Sequence, residues 1–460
     1  MTSAAERTRL TGLTLAEAAR AVRSREISAA ELLDACLARI DQTEPSVRSF
    51  ASLQAEAARV AASELDRSEV RGPLHGVPVA LKDLFFTQDV PTEANCEALR
   101  GFVPDRDATV TARLREAGAV IVGKTNTHEL AFGVSCPASH NPWDAGRSTG
   151  GSSGGSAAAL AAHQVFGALG SDTGGSVRIP SNCCGTTGIK TTRGLVPRDG
   201  VHLISWTYDT VGPMARTAED CGILLEVIAG HAPDDPYSVK TALSDARHPG
   251  ELTLGVPGDS FFDGIETDAQ VRAVMDAAAD ELRALVRRVQ PAQVPNSADH
   301  AEIGLAIVIA EAAALLEGLR AEHDELIGEE VRGVLEAGAA IAGTAVSGAQ
   351  AQRVAFERAC LDVFDDQGVD LIIAPVNPNQ AVPHGASELN GVPLIPATTQ
   401  FTFPVNGAGL PAIALPGGFA ADGLPIGFQL IGRPFAERTL VAVGEAFQRA
   451  TDHHAQAPEL

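Results

Sequence analysis

The sequence predicts an α/β fold in one large domain, and three observations predict it. From about residue 71 onward, apolar runs that read as strands alternate with helical stretches, the rhythm of a largely parallel sheet crossed by helices. Of the 460 residues, 45% are hydrophobic, enough to bury a sizeable core. No internal repeat and no long linker divides the chain.

The chain begins helical. Between Leu13 and about Leu65, "TLAEAARAVRSREI" and "SAAELLDACLARI" space apolar residues three and four apart, and Ser28 with Glu31 forms a capping box. Pro45 and Ser46 separate these from a further helix through "SLQAEAARVAASEL". In "GPLHGVPVALKDLFF", Val77, Val79 and Leu81 alternate between turn signals, as in a buried strand. "ATVTARLREAG" reads as a helix and "AVIVGKTN" as a strand closing in a loop. "SAAALAAHQ" reads as a helix and "FGALGSDTGG" as a strand entering a glycine turn. From about Ala229 to Gly368 the chain is Ala- and Glu-rich and mostly helical. "VDLIIAPVNP" and "LPAIALPGG" then read as strands, "GLPIGFQLIG" as a hairpin, and "TLVAVGEAFQRAT" as a last helix.

Charge and cysteine usage exclude several classes of function. A formal net charge of −23 argues against nucleic acid or an anionic membrane as partner, because phosphate contacts need clustered Lys and Arg. The seven cysteines are scattered, with no C-x-x-C pair, so neither a disulfide framework nor a structural zinc site is expected. His128, His140 and His202 lack ligand spacing, and no metal or organic cofactor is expected. No apolar stretch is long enough to span a membrane, and the first twenty residues do not read as a secretory signal. The expected compartment is the cytoplasm.

The stretch "RSTGGSSGGSAAA", Arg147 to Ala159, concentrates the candidate chemistry. A flexible linker would stay polar, whereas this run enters an Ala-rich helix. A phosphate cradle of the Walker type needs Lys after its second glycine, where Ser156 stands. The nucleophile pattern G-x-S-x-G fits twice, on Ser152 and on Ser153, but no strand precedes it. A better nucleophile candidate is Ser176 in "LGSDTGGSVRIPS", where the N–H groups of Thr173, Gly174, Gly175 and Ser176 can form one concave nest for an oxyanion. Lys82 lies among apolar neighbours in "VPVALKDLFF", and burial of a lysine lowers its pKa toward that of a general base. Asp172 and Arg178 flank Ser176 as supporting residues, with a structural ion pair as their simplest role.

These segments resemble the amidase signature family. "GVPVALKDLF", "GKTNTHELAFG", "NPWDAGRSTGGSSGGSAAALAA", "SDTGGSVRIPSNCCGTTGIKTTRG" and "DTVGPMARTAEDC" stand in the family's order, and the likeness extends to "REISAAELLDACLARI" and "FPVNGAGLPAIALPGGFAADGLPIGFQLIGRPF". The resemblance implies one α/β domain with a large mixed central sheet covered by helices on both sides. It divides the chain into an N-terminal helical segment over 1–70 and a catalytic domain over 71–460. That domain comprises a motif core (71–228), a variable helical region (229–368) and a C-terminal sheet and helix part (369–460). It implies a Ser–cis-Ser–Lys triad, with Ser176 as nucleophile, Ser152 as proton bridge joined to Gly151 by a cis peptide, and Lys82 as base. By the same resemblance Ala131, Phe132, Gly151 and Ser153 lie at the substrate.

The implied function is hydrolysis of carboxamide C–N bonds. Two other readings stay open: the glutaminase-type component of a tRNA-dependent amidotransferase complex, and a catalytically silent binding protein on the same fold. Where the amidotransferase pattern carries an acid that holds the glutamine amine, this chain has Thr399, followed by Gln400, Phe401 and Phe403. A small neutral aryl or alkyl amide is therefore the expected substrate, with carbamate (urethane) or ester cleavage as extensions and a homodimer allowed. The loop "VSCPASH" is shorter than the family pattern and is expected to widen or reshape the pocket entrance.

Overall fold

The computed structural model of the protein describes residues 3–263, 266–296 and 298–460. The first segment is helical, through Ala4–Gly12, Leu15–Arg23, Ala29–Val47 and Ala55–Arg67. The Ser28–Glu31 capping box is present, and Thr14 with Glu17 forms a second one. Leu32, Leu33, Cys36 and Ile40 face the core from the third helix. Pro45 does not end that helix, contrary to the sequence reading. It sits in the last turn, so the carbonyl it leaves unbonded belongs to exposed Asp41, and the helix runs on until Arg48 turns left-handed at φ 51°.

The strands in chain order are β1 (Phe50–Leu53), β2 (Pro78–Lys82), β3 (Val120–Thr125), β4 (Gly167–Asp172), β5 (Thr187–Lys190), β6 (Thr210–Ala215) and β7 (Thr253–Pro257). They continue with β8 (Arg288–Ala292), β9 (Leu371–Pro375), β10 (Glu388–Leu389), β11 (Val392–Pro393), β12 (Ala412–Phe419) and β13 (Pro425–Gly432). Among the described residues, eleven form one sheet in the order β1-β3-β2-β4-β6-β5-β12-β13-β9-β7-β8, and β10 pairs with β11 apart from it.

The sheet is mixed rather than largely parallel. Parallel pairs occur at β2–β3, β2–β4, β7–β8 and β7–β9. The other six neighbours are antiparallel. Strand–helix–strand rhythm reports a crossover but not where the returning strand inserts. Here β6 slots between β4 and β5, antiparallel to both. "GLPIGFQLIG" is also one strand, β13, not a hairpin; its partner is β12, and the turn between them closes through Gly423 at φ +85°. The stretch 229–368 is mostly helical, yet it carries β7 and β8, which extend the sheet at one edge.

What positions the site is the centre of the first half of the sheet. β2, β3 and β4 are buried along their whole lengths, as strands covered on both faces are. Because β2 and β4 run parallel in register (Val79 opposite Gly167, Leu81 opposite Leu169), their C-terminal residues Lys82 and Asp172 emerge at the same edge.

Candidate active site

Lys82 closes β2 with no solvent exposure, and its Nζ lies 2.7 Å from Ser152 Oγ and 2.8 Å from Ser171 Oγ. Burial drives its pKa down from 10.5 to about 7; the nearby Cys136, Asp209 and Asp172 oppose the shift without cancelling it. Ser152 follows Gly151 across a cis peptide bond and is itself fully buried. Its carbonyl accepts the His128 N–H at 3.2 Å, which ties the doublet to the 128–132 segment. The Ser153 N–H donates to the Ser176 carbonyl at 3.2 Å, and Ser153 Oγ donates to the Ser171 carbonyl at 3.3 Å. The two serine loops are thus joined through backbone.

Ser176 is 7% exposed, and among the described residues none takes a hydrogen bond from its hydroxyl. The direct Ser152–Ser176 hydroxyl bond that a relay uses is therefore not made; such bonds commonly tighten only around substrate. In the turn before Ser176, the N–H groups of Thr173, Gly174 and Ser176 have no partner among the described residues, whereas the Gly175 N–H donates to Asp172 Oδ1 at 2.8 Å. Of the four expected oxyanion donors, Gly175 is thus engaged elsewhere, because Asp172 caps the turn.

Asp172 and Arg178 form a fully buried bidentate pair, with Nη2 3.0 Å from Oδ1 and Nε 3.1 Å from Oδ2. Burial raises the Asp172 carboxyl, but Arg178, Lys190 and Asn406 outweigh it and hold the group at about 2. Arg178 also donates to Gln429 Oε1 (2.9 Å), the Thr402 carbonyl (2.9 Å) and Asn406 Oδ1 (2.6 Å), locking the Ser176 turn to the C-terminal half.

Ala131 and Phe132 are buried in a short turn in which Leu130 and Ala131 both have positive φ. The "VSCPASH" loop folds back on Gly151: a Cβ there would stand 2.0 Å from the Ser135 carbonyl oxygen, so only glycine fits. Thr399 donates its hydroxyl to the Ile395 carbonyl at 2.9 Å. Phe401 belongs to the core, stacked on Phe261 with centroids 5.4 Å apart. Phe403 instead stands beside the nucleophile turn, 3.2 Å from where a Gly174 Cβ would be.

Residues 31–441 match the amidase family. The chain belongs to the amidase family. This amidase is 41% identical to "Amidase" of Pseudomonas putida, over 98% of each chain. It is 40% identical to the glutamyl-tRNA(Gln) amidotransferase component of the same family from Chloroflexus aggregans (strain MD-66 / DSM 9485), over 98% of this chain and 99% of that one. Its fold superposes on 6-aminohexanoate cyclic dimer hydrolase with a TM-score of 0.89 at 30% identity, covering 98% of this chain and 99% of that one. It is thus an amidase-signature hydrolase of C–N bonds.

Sequence reasoning missed several groups that this amidase brings to the site. Ser171 on β4 accepts from Lys82; its place near the end of a strand beside β2 was a usable signal. Asp209 accepts the Thr173 hydroxyl at 2.5 Å, Thr402 donates to the Gly174 carbonyl at 2.6 Å, and Asn406 reaches Asp172. No local pattern marks these three, since each is distant in sequence from what it touches. Among the described residues no group of three His, Cys, Asp or Glu side chains is placed to hold a metal, all seven cysteines are unbridged, and no helix is long and apolar enough to cross a membrane.

Proposed function

We propose that this amidase cleaves small neutral carboxamides through an acyl-enzyme on Ser176, with Ser152 as proton bridge and Lys82 as base. The observation that carries the reading is Lys82: a fully buried lysine with a pKa of about 7, held against Ser152. A neutral Nζ gives a hydrogen to Ser171 and keeps its lone pair for the Ser152 proton. Ser176 Oγ then attacks the acyl carbon as its proton passes to Ser152, and the Ser152 proton passes to Lys82. The carbonyl oxygen becomes an oxyanion against the N–H groups of Thr173, Gly174 and Ser176. Collapse breaks the C–N bond, and the amine leaves with a proton returned from Lys82 through Ser152. Water reverses the relay, releasing the acid and restoring Ser176.

Thr399 in place of an acid and Phe403 beside the turn support a neutral, aryl or alkyl substrate over glutamine. Carbamates and aryl esters present the same acyl carbon to the same relay. Ala131, Phe132, Gly151 and Ser153 would border the acyl group, and seven unbridged cysteines suit a reducing cytoplasm. The test is a hydrolysis screen of the purified chain over anilides, aliphatic amides, carbamates, esters and glutamine, with mass spectrometry of a fluorophosphonate adduct. Turnover of simple amides and an adduct on Ser176 are expected. An adduct on Ser152 or Ser153 would overturn the assignment, and turnover of glutamine only in the presence of partner proteins would favour the amidotransferase reading.

A further inference from the structure

The three N–H groups assigned above to the oxyanion are only as good as the peptide planes that carry them. Two of those planes are fixed from behind. The Gly175 carbonyl, which shares its plane with the Ser176 N–H, accepts the Ile179 N–H at 2.7 Å. The Asp172 carbonyl, which shares its plane with the Thr173 N–H, accepts Asn406 Nδ2 at 2.8 Å and Thr210 Oγ1 at 3.1 Å. A carbonyl that accepts strong hydrogen bonds polarises its own amide, so the N–H on the far side becomes the better donor.

Asn406 is built for this role. It is 1% exposed, in the short helix Phe403–Gly407, and all its polar atoms are engaged. Its Nδ2 also lies 2.9 Å from Asp172 Oδ1 and 3.4 Å from the Tyr208 carbonyl, while its Oδ1 accepts Arg178 Nη2 at 2.6 Å. The Arg178 bond fixes which end of the amide points at Asp172, because guanidinium only donates. Asn406 therefore senses the Asp172–Arg178 pair with one end and presses on the Thr173 peptide plane with the other. Thr402 provides the contrast: its hydroxyl holds the Gly174 carbonyl, whose plane carries the Gly175 N–H that Asp172 already takes.

We propose that Asn406 is a positioning residue of the oxyanion hole, setting the orientation and donor strength of the Thr173 N–H. The inference rests on the reading of Ser176 as nucleophile and Thr173 as an oxyanion donor. Asn406 touches no substrate, and it acts only on a donor that matters once charge has developed on the acyl oxygen. Its loss must therefore appear in kcat and not in KM.

The experiment compares Asn406→Ala and Thr210→Val with wild type on 4-nitrophenyl acetate and on the best amide of the screen. Inhibition by phenylboronic acid, whose tetrahedral adduct on Ser176 places an anionic oxygen in the hole, is measured beside inhibition by a neutral competing amide. Asn406→Ala is expected to lower kcat about 10- to 100-fold with KM within about twofold, below the loss seen when a whole donor is deleted. The boronic acid should weaken by a similar factor and the neutral amide should not. Thr210→Val, which removes one hydroxyl at constant shape, should show the same signature at smaller size and keeps the test in hand if Asn406→Ala does not fold. Unchanged kcat in the variants that fold, or equal weakening of boronic acid and neutral amide, overturns the proposal. A wild-type chain without turnover, or an adduct away from Ser176, would instead overturn the nucleophile assignment beneath it.

Discussion

Replacing Lys82 with methionine separates its chemistry from its packing. Methionine keeps an unbranched apolar stem in a fully buried site and removes the titrating group. With the folded-state pKa lowered from 10.5 to about 7, half of Lys82 is neutral at pH 7; an unperturbed lysine would be about 0.03% neutral. Burial thus raises the supply of base roughly 1,500-fold at that pH. The same shift has a signed effect on stability. Between about pH 7 and 10.5 the unfolded chain binds the Lys82 proton and the folded chain does not, so raising the pH favours folding; below 7 both states are protonated and the burial penalty is complete. Integrated from pH 6 to 9, this stabilises wild type by about 2.7 kcal/mol relative to Lys82→Met. The hydroxyls of Ser152 and Ser171 that methionine leaves unpartnered add an offset that does not change with pH. The assays are urea denaturation of both proteins at several pH values and the pH profile of wild-type kcat/KM, expected to rise with a midpoint near 7. A midpoint near 10, a flat profile, or a stability difference that stays constant from pH 6 to 9 would refute the reasoning.

Other perturbations test the scaffold. Gly151→Ala places a methyl 2.0 Å from the Ser135 carbonyl oxygen, so the 133–140 loop must shift and kcat should fall at least tenfold; full activity would contradict that packing. Asp172→Asn keeps the shape but leaves the Arg178 charge buried without its counter-ion, and a loss of about 3–5 kcal/mol in urea unfolding is expected. A loss under about 1 kcal/mol would show that the pair matters little to stability.

Much of the fold was legible because its elements carry local causes. The Ser28–Glu31 box begins a helix wherever it stands, and the continuous apolar runs of β2, β3, β4 and β9 can only be buried strands. Elements that depend on partners were not legible. β1 is four residues long and exists by pairing with β3, and "FASLQAEAARV" reads locally as the approach to a helix. β8 has little burial of its own and joins the sheet through β7, inside a stretch whose composition is helical. "GLPIGFQLIG" has turn residues that suggest a hairpin, but its partner β12 gives it eight residues of straight strand.

The same division runs through the site and explains its architecture. Lys82, Ser152 and Ser176 stand in runs whose composition announces them, since a buried lysine and glycine-flanked serines are hard to justify otherwise. What holds them does not announce itself. Arg178 ends on Gln429, Thr402 and Asn406, more than 220 residues further along the chain, and Thr173 ends on Asp209. The first half of the sheet therefore carries the groups assigned to bond making, and the C-terminal part fixes the planes and charges they act against. On this division, substitutions in "TFPVN" or on β13 that spare folding should alter kcat and leave the Lys82-governed midpoint of the pH profile near 7, because none of those residues contacts Nζ. A midpoint displaced by such a change would place the C-terminal part in the proton relay itself rather than in its support.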